Sequence, residues 1–519
     1  MAEAAARRKG RRTKLRARQD GGGAEPDPPA VWPGLTGGRF RPLSEREQDD
    51  VNEAALHLLE TLGLSQAIPS MVEKVVARGG RLIDDGRLLF PRHLVLETVE
   101  TARRDLVLHG QRPGLELELS GARVHMSSGG ASPKLVDLES GRYRAASAKD
   151  LYDAARLVDA LDNIHHFSRS LVACDAPDTR SLDINTVYAC LIGTAKPVSV
   201  SASDPAHVGA IADICYALAG GEAAFRARPF LTVMVCHVVP PMRFAEESCE
   251  TLEAAVRAGF PVQIISAGQA GATSPATIAG SLVQAVAETL AGLVFARLVD
   301  PNAAAIFAPK PLVADLRTGA MSGGGGEQAI LMAAAAQMGR FYDLPTSSIA
   351  GITDAKTLDA QHGSEKALAV SLAAHAGANL ITQACGMQAS LLGASLEAYV
   401  ADDDMLGAIL RSLRGVEATP ETLSAEVIAE VCRGEGHYLG HSQTLARMKA
   451  DYAYPAIGDR ASPDDWEAEG ALELRTRARA RAREILARHY PDHVGDEQDR
   501  ALRQRYDLLL SRGDIGRQP

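Results

Sequence analysis

FLTVMVCH at residues 230–237 and PVQIIS at 261–266 are apolar, β-branched runs that end in small or polar residues, with a helix-like stretch between them. Neither alternates apolar with polar, so each reads as a strand buried on both faces, the mark of a parallel sheet. Six runs of the same kind lie outward from this pair. RVHMS (123–127), IHHFSRSLV (164–172) and PVSVSA (197–202) precede it, and AAIFA (304–308), PTSSIA (345–350) and NLITQA (379–384) follow. The runs recur every 31 to 43 residues, and the intervals hold Ala/Leu-rich amphipathic segments such as AKDLYDAARLVDALD and EQAILMAAAAQMGRFY. Strand and helix alternating eight times predict an α/β chain built as a (β/α)8 TIM barrel over residues 121–400. In such a barrel, ligands meet the loops that follow the C-terminal strand ends, so those loops decide function.

Composition sets the frame around the barrel. The 519 residues are 46% hydrophobic, enough for one large core, and a net charge of −10 gives no pointer to nucleic acid. Residues 1–42 open with a basic run from Arg7 to Arg18 and continue Gly/Pro-rich, which predicts a disordered basic tail. Residues 43–120 are read as an N-terminal helical region, with Ser44 as a helix N-cap, and residues 401–519 as a C-terminal helical extension. The seven cysteines are scattered without a CxxC pair, which reads as reduced thiols in the cytoplasm. No zinc-ligand spacing occurs, so no metal site is expected. The apolar helix near 276–299 carries Gln284, Glu288 and Arg297 and is read as a buried barrel helix, not a membrane span. No apolar signal segment is visible at the N-terminus.

The strand-end loops supply the candidate chemistry. Gly129 and Gly130 after strand one permit close backbone approach to a ligand, or simply make a turn. Ser203-Asp204-Pro205 after strand three reads as a helix cap. His237 ends strand four, either as a substrate or cofactor contact or as a core histidine. Gln269 sits between glycines after strand five, and after strand six Lys310, Asp315 and Arg317 could bind a carboxylate or phosphate. Glycines 323–326 precede a helix start whose amides favour anions, or they form a mobile loop. Strand seven is followed by the densest polar stretch, with Asp354, Lys356, Asp359 and His362 within nine residues, and these are the candidate catalytic groups. Gln383 and Cys385 end strand eight.

Three stretches carry a resemblance. GITDAKTLDAQHGSEKA with AGANLITQACGM, then EAYVADDDMLGAILRSLRGVEATPETL, then GHYLGHSQTLARMKADYAYPAIGDR with DDWEAEGA, resemble the trimethylamine methyltransferase family over about residues 44–490. The resemblance implies a (β/α)8 enzyme that moves a methyl group from an amine to the Co(I) corrinoid of a separate small protein. The chain itself would bind no cofactor. Archaeal trimethylamine enzymes of that family carry pyrrolysine near the position of Thr357 or Leu358, where this chain has standard residues. The non-pyrrolysine members, which use glycine betaine or other quaternary amines, are therefore the nearer likeness.

Physical chemistry points the same way, because a quaternary ammonium leaves as a neutral amine and needs neither a general acid nor a nucleophile. Its cation is expected to meet aromatic faces, with Phe167 and Tyr342 among the few candidates in a chain that is 4% aromatic. Its carboxylate would turn to Arg317, Lys356 or His362, with His237, Gln269 and Gln383 as further contacts. The expected partners are a methylated amine, a cognate corrinoid protein and a second copy of the chain, without nucleic acid or membrane. A barrel lyase or aldolase of another class is the alternative, as is a catalytically silent amine-binding relative. The aldolase needs a lysine projecting from a strand, whereas Lys310 and Lys356 read as loop residues.

Overall fold

The structure, a computed structural model, describes residues 29–434 and 436–518. The basic run at Arg7–Arg18 lies outside them. Eight parallel strands follow one another along the chain: β1 (Arg123–Met126), β2 (Phe167–Ser168), β3 (Val198–Val200), β4 (Leu231–Val235), β5 (Val262–Ser266), β6 (Ala305–Pro309), β7 (Ser347–Ile349) and β8 (Leu380–Thr382). Each falls within, or within one residue of, a run read as a strand from sequence. The helices after them are α1 (Ala148–Ala160), α2 (Thr179–Gly193), α3 (Val208–Ala219), α4 (Glu246–Arg257), α5 (Ile278–Val299), α6 (Gly326–Phe341), α7 (Ala360–Ala376) and α8 (Leu396–Arg414).

Strands β2 to β6 pair in sequence order within one sheet. In a second sheet β7 pairs with β8, and β8 with β1. Single parallel bridges, Ser127 to His166 and Phe307 to Thr346, join β1 to β2 and β6 to β7. Local chemistry sets the helix ends. Ser147 and Asp150 form a capping box at the start of α1, and Asp359 caps α7. Gly220 and Gly377 end α3 and α7 at φ +85 and +89, where a side chain would be strained. Helix α5 is long and apolar enough to cross a membrane, but 78% of its apolar window is buried inside the protein.

The chain divides into two compact units, the larger comprising residues 31–416 with 454–519. Within it, the N-terminal segment is more mixed than the helical reading allowed. Ser44 does cap the helix Glu45–Thr61, in a box with Glu47. Beyond it, strands Leu64–Ser65, Arg81–Leu82 and Arg87–Leu89 form an antiparallel sheet. The turn at Asp84-Asp85-Gly86, with Gly86 at φ +79, is a hairpin signal that outweighs the surrounding helical spacing. A second hairpin pairs Leu106–Leu108 with Leu117–Leu119. Its leucines pack against Ile306 and Leu380, at the N-terminal ends of β6 and β8. The hairpin thus covers the N-terminal ends of β6 and β8.

The C-terminal region is likewise divided. Residues 454–519 belong to the larger unit, where Arg475 and Arg479 of the helix Leu474–Arg488 both bond the buried Glu397 carboxylate of α8, at 2.5 and 2.7 Å. Residues 417–453 fall in the smaller unit, which holds the helices Ala425–Arg433 and Ser442–Ala450.

Candidate active site

At the C-terminal strand ends lies a cavity of about 380 Å³ to which all eight strands contribute. Gly130, Arg169, Ser201 and Cys236 come from the ends of β1 to β4, and Ala267, Lys310, Ile349 and Gln383 from the ends of β5 to β8. Ala131, Ala202, Met234, Val235, Ile265 and Leu312 complete much of the wall, so the surface is largely small and apolar. Among the described residues no aromatic and no carboxylate side chain lines it. Its charged groups are two cations.

Lys310 is 3% exposed and follows β6 directly, so the loop position expected from sequence is in fact a buried wall of the cavity. Its Nζ donates to Gln263 Oε1 at 3.3 Å and to Thr382 Oγ1 at 3.2 Å, leaving one N–H without a partner. Burial with no carboxylate beside it pushes its pKa down to about 8. Arg169 is half-buried in the cavity wall, its sealed Nε has no hydrogen-bond partner, and burial lowers its pKa. Cys236 feels both charges: burial raises its thiol pKa, and Lys310 and Arg169 pull it partly back. Although surrounded by protein, Cys236 keeps its surface open to the cavity.

Behind Lys310 runs a polarised chain of hydrogen bonds through the strand interior. Gln263 Nε2 donates to Ser199 Oγ at 3.1 Å, and Ser199 Oγ lies 2.9 Å from His166 Nε2. His166 Nδ1 lies 2.7 Å from Ser127 Oγ, whose own hydrogen goes to the Ser128 carbonyl. The Ser127 proton is thus committed, so His166 must carry its hydrogen on Nδ1 and accept from Ser199 on Nε2. Burial pushes His166 down to about 3, which keeps it neutral. Sequence reasoning passed over His166, Ser199, Gln263 and Thr382. The signal was present as polar residues within the strand runs, such as Gln263 in PVQIIS and Ser199 in PVSVSA.

The strand-seven loop has a different role from the one its charge density suggested. Asp354 Oδ1 accepts from Gly323 N at 2.9 Å and Ser390 Oγ at 2.6 Å, and Oδ2 from Ser322 Oγ and Gly324 N at 3.2 and 3.3 Å. The anion expected at the glycine run is therefore this internal carboxylate. Lys356 is exposed and bonds the Asp354 carbonyl. Asp359 caps α7 by accepting from His362 N at 3.1 Å. His362 is buried, with Nε2 2.9 Å from Asp402 Oδ1, while Lys366 Nζ lies 2.7 Å from Asp402 Oδ2. Burial would raise the Asp402 pKa, but the Lys366 and His362 charges outweigh it and hold the carboxyl low. None of these four lines the cavity.

Of the other candidates, Gln383 does line it. The amide orientation that satisfies both ends has its nitrogen donating to the Thr382 hydroxyl and its oxygen accepting from Gly130 N at 3.2 Å. Gln269 uses its backbone to close the turn to Thr273 and Ser274. Arg317 is exposed and pairs with Asp315. His237 is a core histidine, fully buried, with Nε2 2.8 Å from the Glu288 carbonyl and its pKa pushed down to about 4 by burial. Phe167 is fully buried, and Tyr342 is buried against Phe307 with its hydroxyl on Asn52 at 2.9 Å. These two aromatic faces are spent on the core and do not reach the cavity. Among the described residues no group of three or more His, Cys, Asp or Glu is placed to hold a metal ion. As read from sequence, Asp204 caps the turn beginning at Pro205.

The family model for trimethylamine methyltransferase matches residues 7–507 of the chain. A glycine betaine methyltransferase of Desulfitobacterium hafniense (strain Y51) is 28% identical over 466 residues, covering 89% of this chain and 96% of that protein. A trimethylamine methyltransferase of Methanosarcina barkeri is 29% identical over 461 residues, covering 88% and 92%. The crystal structure of the Methanosarcina barkeri monomethylamine methyltransferase aligns at 11% identity with a TM-score of 0.49, over 84% of this chain and 91% of that one.

Proposed function

The chain belongs to the trimethylamine methyltransferase family, and from that premise we propose that it transfers a methyl group from a quaternary amine such as glycine betaine to the Co(I) corrinoid of a partner protein. The observation that carries the reading is the cavity. It lies at one end of eight parallel strands, and Gly130, Ala131, Ala202 and Ala267 leave room in its wall for methyl groups and for a partner's cofactor to approach. We take the strands as a (β/α)8 TIM barrel over 121–400, completed by the two bridges, with its chemistry at the C-terminal face.

In the step itself the C–N bond breaks with its electron pair remaining on nitrogen. The methyl group bonds to cobalt, which supplies the new pair and goes from Co(I) to Co(III). The amine departs neutral, so no proton has to be placed. The chain contributes alignment and exclusion of bulk water. It would bind no cofactor or metal of its own and would act in the cytoplasm as a homo-oligomer, with neither nucleic acid nor membrane as partner. The test is to supply methylated amines with a Co(I) corrinoid protein and follow the corrinoid spectrum. If no amine yields methylated corrinoid above the rate without this protein, the reading fails.

Lys310 favours a second reading. A buried lysine whose pKa falls to about 8 beside a cavity is the group a Schiff-base enzyme uses on a carbonyl substrate, releasing water. Borohydride reduction in the presence of small aldehydes and ketones, followed by mass analysis of the peptide containing Lys310, decides for or against it.

A further inference from the structure

We infer that Arg169 and Lys310 form a two-cation site for a carboxylate, so that the substrate is a zwitterion held by its anionic end with its methylated ammonium turned toward the opening. The inference rests on the methyl-transfer reading above and deepens it by naming the substrate class. Both cations line the same cavity, and neither has a carboxylate partner there. Arg169 directly follows β2 and Lys310 directly follows β6, and with Cys236 just after β4 they line one cavity from separate walls. Each has hydrogen-bonding capacity left over: among the described residues the Arg169 guanidinium makes no side-chain hydrogen bond, its sealed Nε leaving the terminal Nη groups for the cavity, and Lys310 keeps one N–H after Gln263 and Thr382 are served. Lys310 is buried and Arg169 half-buried, and the one carboxylate whose charge Arg169 feels, Asp183, is already bonded to Ser203 and His207, so a bound carboxylate is the group that offsets the cost of the two cations.

The charge balance also favours the reaction over mere binding. A cavity meant to hold a quaternary ammonium tightly would carry aromatic faces or carboxylates, which stabilise the ground state. This one carries neither. As the methyl group leaves, the substrate nitrogen loses its positive charge, so repulsion from Arg169 and Lys310 falls along the reaction coordinate while the carboxylate contact persists. The two cations thus anchor one end of the substrate and destabilise the charge that the reaction removes.

The test separates this site from the methyl-transfer reading by using a ligand that cannot transfer a methyl group. 3,3-Dimethylbutanoate has the shape and carboxylate of glycine betaine with carbon in place of nitrogen; choline keeps the cation and lacks the carboxylate. Calorimetry on the full-length protein should show 3,3-dimethylbutanoate binding more tightly than choline. Lys310→Met and Arg169→Leu should each weaken 3,3-dimethylbutanoate by about tenfold or more, the loss of one charge-assisted hydrogen bond. Lys310→Arg and Arg169→Lys, which keep the charge, should retain most of the affinity, and circular dichroism checks that each variant folds. Affinity within about twofold of wild type in both neutralised variants overturns the inference. So does choline binding as tightly as 3,3-dimethylbutanoate. Displacement of 3,3-dimethylbutanoate by equimolar inorganic phosphate would assign the cations to phosphate and overturn it equally. If the carboxylate binds as expected while no amine is demethylated, the carboxylate site stands and the methyl-transfer reading alone falls.

Discussion

Lys310 donates to the carboxamide oxygen of Gln263 at 3.3 Å, and through that one contact the ammonium at the cavity is tied to the neutral imidazole of His166. The amide cannot neutralise the charge; it can only aim it. Among the described residues no group facing Lys310 supplies a full negative charge: Gln263 and Thr382 are neutral partners, and burial raises the Cys236 thiol pKa. The lysine therefore remains a poised cation, and its protonation is the property most open to measurement.

Lys310 has a reference pKa of 10.5 and titrates in the fold at about 8. Between those values the unfolded chain holds a proton that the folded chain has released, so stability rises as pH climbs through this window. Lys310→Met should accordingly raise the melting temperature at pH 7, by an amount on the order of 3 kcal/mol in stability, and the gain should shrink toward pH 10.5. Ligand binding moves the opposite way, with the dissociation constant of 3,3-dimethylbutanoate rising as pH passes about 8. A melting difference that is the same at pH 7 and pH 10 would sink the assignment.

Asp354 ties three parts of the strand-end surface together through Ser322, Gly323, Gly324 and Ser390. Asp354→Ala removes the acceptor of four donors, each worth about 1.5–3 kcal/mol when the acceptor is charged. The expected outcome is faster proteolysis and hydrogen exchange across 320–326 and 388–392, and equal loss of activity toward zwitterionic and simply cationic amines. Selective loss toward the cationic amines alone would instead give Asp354 a direct place at the substrate.

Breaking the buried pair of Lys366 with Asp402 should be severe. Asp402→Asn leaves Lys366, which has no exposed surface, without its counter-charge at a cost of about 3–5 kcal/mol. Combining it with Lys366→Met should recover a large part of the melting temperature, because the stranded charge is gone. A double variant no more stable than Asp402→Asn would show that His362 and the Gly386 amide, not the ion pair, depend on this carboxylate.

Arg317 and Lys356 both lie on the exposed surface, and neither lines the cavity. Arg317→Ala and Lys356→Ala are expected to change methyl transfer by less than about twofold, under ~0.5 kcal/mol in barrier. A tenfold loss of turnover with glycine betaine in either variant would return that side chain to the substrate.

The order of eight strands and their helices was legible in the chain because burial on both faces demands largely apolar runs, such as FLTVMVCH and PVQIIS, and these recur between amphipathic stretches. The caps at Ser44 and Asp204 were equally plain, since an N-cap is a contact among residues two or three apart. The family, too, lay in the loop after strand seven. What sequence could not decide was which charges in that loop face inward. Asp354, Asp359 and His362 are dense along the chain but are consumed by Gly323, an α7 amide and Asp402. Arg169 and Lys310, 141 positions apart and each without another charged residue beside it in the sequence, are the pair that the fold brings to one cavity. Periodicity reports the face a residue occupies within its own element. Whether a charge is paired depends on partners from distant strands, and only tertiary structure supplies them.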